Sequence, residues 1–321
     1  MPKIHVGVLR GGPSSEYEVS LKTGGAVLRH LPADKYQAHD VLITREGDWH
    51  FDGILISPQQ LGQSVDVAFN ALHGEYGEDG GVQAVLDNLS LPYTGSGRLP
   101  SALAMNKPLA NEILRQAGFR VPVSIWAESS EDADAVAERV FLKLAPPWVV
   151  KPADRGSSVG LSFVRAFSEL GAAVKRAAQY SKKILIEQFI KGREATVGVV
   201  EGLRGEGHYV LPPIEIKAPG NKSVWDYNDK YSGETIELCP GPFADDDKLK
   251  LTQLARTAHQ TLGLRHYSRS DFIVTPRGIY ILEVNTLPGM TNESLMPKAL
   301  DAVGVRYPDF LDHVVGLALR K

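Results

Sequence analysis

The chain has 321 residues, a formal net charge of −3, 43% hydrophobic and 23% charged residues, and a single cysteine. At about 150 residues per domain, this length predicts two or three domains with cores large enough to need no staples. The near-neutral charge argues against a nucleic-acid-binding field, Cys239 alone excludes an internal disulfide or a cysteine metal cluster, and no apolar run approaches the ~18–20 residues of a membrane span.

The N-terminus has no signal-peptide pattern, which together with the lone thiol predicts a soluble, cytoplasmic protein. Ile4–Leu9 reads as a buried strand running into Gly11-Gly12-Pro13-Ser14-Ser15. Ser15 and Glu18 have capping-box spacing, so a helix is expected from Glu16 to about Leu31. Strands are expected at Ala38–Ile43, Asp48–Phe51, Ile54–Ser57 and Val65–Leu72. The last ends in His73-Gly74-Glu75-Tyr76-Gly77-Glu78-Asp79-Gly80-Gly81, and a helix should cover Gly81–Asn88. Alternation of this kind predicts a parallel α/β sheet for the first ~95 residues. A boundary follows at Leu91–Gly97. One long helix is expected over Ser101–Ala117 with Gly118 as its cap, then a strand at Val121–Trp126, a helix at Asp132–Leu142, and a strand at Trp148–Lys151 that runs into Gly156-Ser157-Ser158-Val159-Gly160. Further expectations are Leu161–Val164 extended, a helix at Ser168–Gln179, antiparallel strands at Ile184–Ile190 and Glu194–Val200, a long polar loop over 218–243, and a helix at Lys248–Leu262.

The densest chemistry lies in Arg269-Ser270-Asp271 and Ile279-Tyr280-Ile281-Leu282-Glu283-Val284-Asn285. A three-residue loop at 276–278, with glycine third, would set Asp271 opposite Glu283. One face then carries Arg269, Asp271, Glu283 and Asn285, and the other Phe272, Val274, Tyr280, Leu282 and Val284 as core. Two carboxylates and an amide oxygen on one face suit a hard cation such as magnesium; a solvated face salt-bridged by Arg269 is the competing reading. The small-residue loop after Lys151 can offer N–H groups to phosphate, or be a plain surface turn. It is neither a P-loop nor a dinucleotide fingerprint, since neither motif occurs in the chain, and nicotinamide-dependent oxidoreduction is disfavoured accordingly. Taken singly, Lys107 reads as a solvated helix lysine, Glu187 and Glu194 as exposed glutamates, and His73 as structural. His73 and Glu16 nonetheless sit at strand ends, where α/β sheets bind ligands.

Together the segments resemble the D-alanine–D-alanine ligases of the ATP-grasp superfamily. The resemblance rests on Gly11–Ser20, His73-Gly74 with Gly77–Gly80, Pro92–Ser96, Ser101–Lys107, Lys151-Pro152 with Gly156–Gly160, Glu187 with Gly192-Arg193-Glu194, Asp226-Tyr227 with Lys230-Tyr231, Arg269–Asp271, and Glu283–Thr291 with Ser294-Leu295. It spans residues 4–297 in family order. Asn106 stands where relatives commonly have Asp, and Gln188 where many have Lys.

The resemblance implies an α/β fold, α+β in its C-terminal half: a Rossmann-like substrate domain at 1–96, a central ATP-grasp part at 97–186, and a catalytic part at 187–321 with a lid near 218–243. It implies ATP-dependent joining of two D-alanines through an acyl phosphate, for peptidoglycan precursor synthesis. Metal ligation by two Mg2+ or Mn2+ falls to Asp271, Glu283 and Asn285. ATP contacts fall to Lys107, Lys151, Ser158, Glu187, Glu194 and Lys230. Oxyanion stabilisation is assigned to Arg269 and the Gly289 N–H. Glu16 and His73 would hold the first D-alanine, and Ser294 and Leu295 the second. Glu16, Ser157 and Tyr231 would form a hydrogen-bonded set tethering the loop, and the retained Tyr231 favours the dipeptide over D-alanyl-D-lactate. A homodimer is implied, with no nucleic-acid or membrane partner. An ATP-grasp ligase with another acceptor (D-lactate, D-serine or another amino acid), or a non-catalytic nucleotide-binding protein, are the alternatives.

Overall fold

The computed structural model describes residues 2–154, 160–217, 235–291 and 293–320. Its first part is a five-stranded sheet in the order β4-β3-β2-β1-β5, built from β1 (Ile4–Gly11), β2 (Tyr36–Ile43), β3 (Trp49–Phe51), β4 (Ile54–Ile56) and β5 (Val67–Asn70). Strand β1 is central and parallel to both β2 and β5, and its Val6, Val8 and Leu9 are fully buried. Such a near-continuous apolar run is what a parallel strand covered on both faces requires. Helices α1 (Tyr17–His30), α2 (Pro58–Ser64) and α3 (Gly81–Asn88) complete this part. The anticipated Ser15–Glu18 capping box does not form: α1 starts at Tyr17 with Glu16 as its N-cap and no side-chain cap. Ser14 instead accepts the Glu16 N–H at 3.0 Å.

The expected single helix over 101–117 is two helices, α4 (Arg98–Met105) and α5 (Lys107–Gln116). Asn106 breaks them with ψ +86 and accepts the Leu109 N–H on its side chain, so it caps α5. This places Lys107 at the first turn of a new helix, and its N–H reaches the Ala153 carbonyl. A four-stranded antiparallel sheet follows, ordered β6 (Ser124–Glu128), β9 (Lys183–Gln188), β7 (Trp148–Pro152), β8 (Ser162–Val164). Helices α6 (Ala133–Phe141) and α7 (Phe167–Ala178) pack on it around Trp148, Leu170 and Ile184, all fully buried.

The last sheet is antiparallel, in the order β13-β12-β10-β14-β15, with β11 beside β10. Its strands are β10 (Arg193–Glu201), β11 (His208–Val210), β12 (Ile214–Lys217), β13 (Ile236–Leu238), β14 (Tyr267–Thr275) and β15 (Gly278–Asn285), and α8 (Asp245–Thr261) lies on one face. Strand β13 corrects the expectation of a patternless 218–243: its described end pairs with β12.

The β14–β15 hairpin also differs from expectation. Its turn has two residues, Pro276 and Arg277, because Thr275 pairs with Gly278. A bulge at Leu282 then restores the offset, so Asp271 still faces Glu283. In consequence Ile279, Ile281 and Val284 are the buried core positions of β15, while the expected core residues Tyr280 and Leu282 are only half-buried.

Helices α9 (Leu295–Ala302) and α10 (Tyr307–Leu319) return the chain to its beginning. Phe310, Leu311, Val314 and Val315 of α10 share a core with Val6, Val8 and Phe69 of the first sheet.

Candidate active site

The site lies where the C-terminal edge of the first sheet meets the β14–β15 face. At the end of β1, Gly11 has φ +85, and a Cβ there would stand 2.3 Å from the Ile43 carbonyl oxygen, so only glycine turns the chain at this point. The turn is tied to the end of β5. Ser20 Oγ donates to the Ala71 carbonyl at 2.9 Å, and Ser14 Oγ to the His73 carbonyl at 2.6 Å.

His73 is buried, with Thr23 Oγ1 at 2.8 Å from Nε2. Burial lowers its pKa to about 4, a hydrogen bond to the Leu287 backbone partly opposing this and Arg269 adding to it. Its Nδ1 lies 3.9 Å from Glu78 Oε1. This is not an ion pair. Burial first, and the charge of Glu16 second, push the Glu78 carboxyl up to about 8, against the Gly74 N–H and the charges of Lys107 and Arg269. Both shifts favour the uncharged forms. These same couplings bring Glu16, His73, Glu78, Lys107 and Arg269 into one neighbourhood.

On the facing sheet, Arg269 stands opposite Asn285 and Asp271 opposite Glu283. Arg269 donates from Nε and Nη2 to the two Asp271 oxygens, each at 3.0 Å. Asn285 Nδ2 donates to Asp271 Oδ2 at 3.0 Å, and Thr196 Oγ1 of β10 to Oδ1 at 2.5 Å. Burial opposes the Arg269 charge, but Asp271, Glu283 and Glu78 outweigh it and keep the pKa above its ordinary value. Lys107 is buried with Nζ 3.2 Å from Glu283 Oε2, so it is not the solvated helix lysine that its local sequence suggested. Met105, Lys107, Glu283 and Asn285 line a small cavity together with Glu78.

The antiparallel β6–β9–β7–β8 sheet supplies a second polar pair. Lys151 Nζ lies 2.6 Å from Glu187 Oε2, and Asn111 Nδ2 is 3.5 Å from Oε1. Burial works against the Lys151 charge, while Glu187 and Glu283 raise its pKa overall. Glu187 is 4% exposed, which removes the exposed-glutamate reading. Glu194 is half-buried on β10, level with Ile273 of β14.

Beyond β15, Ser294 N-caps α9, and its Oγ accepts the Thr291 N–H at 3.0 Å. Leu295 opens that helix. A Cβ on Gly289 would meet Ser294 Oγ at 2.9 Å, so the Gly289 backbone and the Ser294 hydroxyl are close neighbours. Ser157, Ser158, Lys230 and Tyr231 lie outside the described residues, and with them the Glu16–Ser157–Tyr231 set. Glu78, Thr196 and Asn111 are polar members of this region to which the sequence reading gave no role. Glu78 lies in the Gly77–Gly80 motif; Thr196 and Asn111 have no local signal, since their partners come from distant strands.

Comparisons with known proteins give the family. The family profile described as "D-ala D-ala ligase N-terminus" matches residues 5–60 and 53–96, and "D-ala D-ala ligase C-terminus" matches 114–316. The chain is 42% identical over 319 residues to a "D-alanine--D-alanine ligase" of Geotalea uraniireducens (strain Rf4), covering 98% of this chain and 96% of the relative. Among solved structures, the VanG D-Ala:D-Ser ligase of Enterococcus faecalis superposes with a TM-score of 0.85 at 27% identity, covering 99% of this chain and 100% of the other. The D-alanine--D-alanine ligase of Bacillus anthracis complexed with ATP gives 0.81 at 32% identity, covering 99% and 98%. No helix among the described residues is long and apolar enough to cross a membrane.

Proposed function

The chain belongs to the D-alanine–D-alanine ligase family, and from that premise we propose how its own residues carry out the ligation. It is an ATP-dependent ligase that forms the carbon–nitrogen bond of D-alanyl-D-alanine, for peptidoglycan precursor synthesis. The observation that carries the residue assignment is the polar face of β14 and β15. Arg269, Asp271, Glu283 and Asn285 meet there, with Lys107 held against Glu283.

The donors on that face fit a hard divalent cation: two carboxylates and an amide oxygen at paired strand positions, with the Asp271 carboxylate oriented by three neighbours. We assign them as ligands of two Mg2+ or Mn2+ ions, which when bound would offset charge on the transferring phosphoryl group. Lys107 and Lys151 would donate to the ATP phosphates. Glu187 and Glu194 would accept from the nucleoside. Glu16 would hold the ammonium of the first D-alanine, with neutral His73 beside its carboxylate. That carboxylate attacks the γ-phosphorus, ADP leaves, and an acyl phosphate forms. The amine of the second D-alanine, held by Ser294 and Leu295, attacks the acyl carbon. Arg269 and the Gly289 N–H would stabilise the oxyanion, a preorganised electrostatic contribution of a few kcal/mol. Phosphate then departs with the electrons of the C–O bond, and the amide nitrogen gives up its extra proton to water.

We divide the chain into a substrate part at 1–96, a central nucleotide part at 97–186 and a catalytic part at 187–321, and place it in the cytoplasm, where ATP is available. A homodimer is inferred from the family resemblance alone.

Purified chain given ATP, Mg2+ and D-alanine should release phosphate in a D-alanine-dependent way and form dipeptide. No such release across pH 7–9 overturns the reading, and faster turnover with D-serine or D-lactate reassigns the acceptor. Glu283→Ala should lose turnover by roughly 10²-fold or more while staying folded, its melting transition lowered because buried Lys107 loses this carboxylate. Unchanged turnover in that folded variant overturns the metal assignment.

A further inference from the structure

On the opposite face of the β10–β14 sheet, away from the polar face of β14 and β15, three side chains converge: Glu201 at the end of β10, His208 at the start of β11 and His259 near the end of α8. One ligand atom from each lies within 4.8 Å of the other two. Glu201 Oε1 is 3.4 Å from His259 Nε2 and 3.7 Å from His208 Nε2. In a tetrahedral site with bonds of about 2.0–2.1 Å, ligand atoms stand ~3.3 Å apart. The cluster is thus within a few tenths of an ångström of that geometry on the two edges meeting at Glu201.

The surroundings orient each ligand. His259 is fully buried, and its other ring nitrogen, Nδ1, lies 2.8 Å from Ser268 Oγ of β14. A hydroxyl both donates and accepts, so Ser268 can accept from Nδ1–H, and a bound ion would then take the Nε2 lone pair in place of the hydrogen bond to Glu201. The second Glu201 oxygen accepts the His266 N–H at 2.6 Å, which aims the first at the imidazoles. On His208, the Gln260 side-chain nitrogen lies 3.3 Å from Nδ1 and can donate to it; rotating that amide by half a turn would present its oxygen to Nδ1–H when Nε2 is a ligand. Side chains of His208 and Glu201 are 27% and 25% exposed, so one edge is open to solvent and to a water as fourth ligand.

We propose that Glu201, His208 and His259 form a second metal site, for a borderline divalent transition ion of the zinc class, which clamps β10 and β11 to α8. Two imidazoles select against Mg2+, which prefers oxygen, so this site and the face carrying Asp271 would take different ions. Outer-shell hydrogen bonds like that from Ser268 are what set imidazole tautomer and orientation at such sites.

The full chain, stripped with chelator and supplied with saturating Mg2+ and ATP, is titrated with Co2+ and read by its visible d–d absorption; its melting is then followed with Zn2+. Wild type should bind one Co2+ with tetrahedral-type absorption and melt higher with Zn2+. The part-exposed His208→Ala should bind Co2+ at least about tenfold more weakly and lose the Zn2+ shift while keeping ligase activity. Asp271→Asn should retain both signals. The proposal is overturned if wild type shows no such absorption, if His208→Ala and Glu201→Gln bind Co2+ as wild type does, or if the absorption is lost in Asp271→Asn instead.

Discussion

Thr196 and Asp271 face each other across β10 and β14, hydroxyl to carboxylate at 2.5 Å, both buried. Thr196 touches no proposed substrate position; it holds one oxygen of a carboxylate whose other oxygen is held by Asn285 and Arg269. We expect Thr196→Val, which keeps the β-branch and the volume, to stay folded and to need about 10–100-fold more Mg2+ for half-maximal turnover. Thr196→Ser should restore the wild-type Mg2+ dependence. A Mg2+ titration of turnover checks this, and an unaltered midpoint in Thr196→Val would remove Thr196 from the positioning role.

Lys151 and Glu187 make a buried pair at 2.6 Å, with 14% and 5% of their side chains exposed. Removing one member of such a pair leaves a charge in low dielectric, and costs about 3–5 kcal/mol. Lys151→Met should therefore destabilise by roughly that amount as well as weaken ATP binding. The double variant Lys151→Met, Glu187→Leu should recover most of the stability and none of the ATP affinity. Denaturant melts beside ATP titrations separate the two effects. Recovery of ATP binding in the double variant would show that Lys151 serves only the fold.

How much of this could be read from the chain alone differs by residue. Alternation along two neighbouring strands made the face of Arg269, Asp271, Glu283 and Asn285 legible. The expected three-residue turn was wrong, but a tighter turn and the bulge at Leu282 offset each other by one residue, and the Asp271–Glu283 pairing survived. Of the expected core face of β15 only Val284 survived, because a bulge reverses the alternation on one side of it. The split at Asn106 does have a local signal: Pro108 would break a helix interior but suits the first turn of a helix capped by Asn106. Lys107 meets Glu283, and Thr196 meets Asp271, only after strands and helices far apart in sequence pack, so neither pair has a local signature. The same holds for the return of α10 onto the first sheet, which joins the two ends of the chain in one core.

Glu78 and His73 give stability opposite pH dependences. Burial lowers His73 from 6.5 to about 4, and His266 likewise from 6.5 to about 4. The stability these two contribute is present above pH 6.5 and is lost as pH falls from there toward 4. Glu78 is raised from 4.5 to about 8. Between those values the folded state holds more protons than the unfolded chain, so its contribution is full below pH 4.5 and is lost as pH rises to 8. The two effects oppose each other below pH 6.5, and above it the histidines are silent. We therefore expect the substrate-free protein to lose about 2 kcal/mol at most between pH 6.5 and 8 through Glu78, at 1.36 kcal/mol per unit. Glu78→Gln keeps an acceptor for the Gly74 N–H, now 2.9 Å from Glu78 Oε1, and cannot titrate. Its stability should be flat over the window in which wild type declines. Urea melts of both proteins at closely spaced pH values measure the difference, and parallel curves would mean that Glu78 is ionised in the fold at neutral pH.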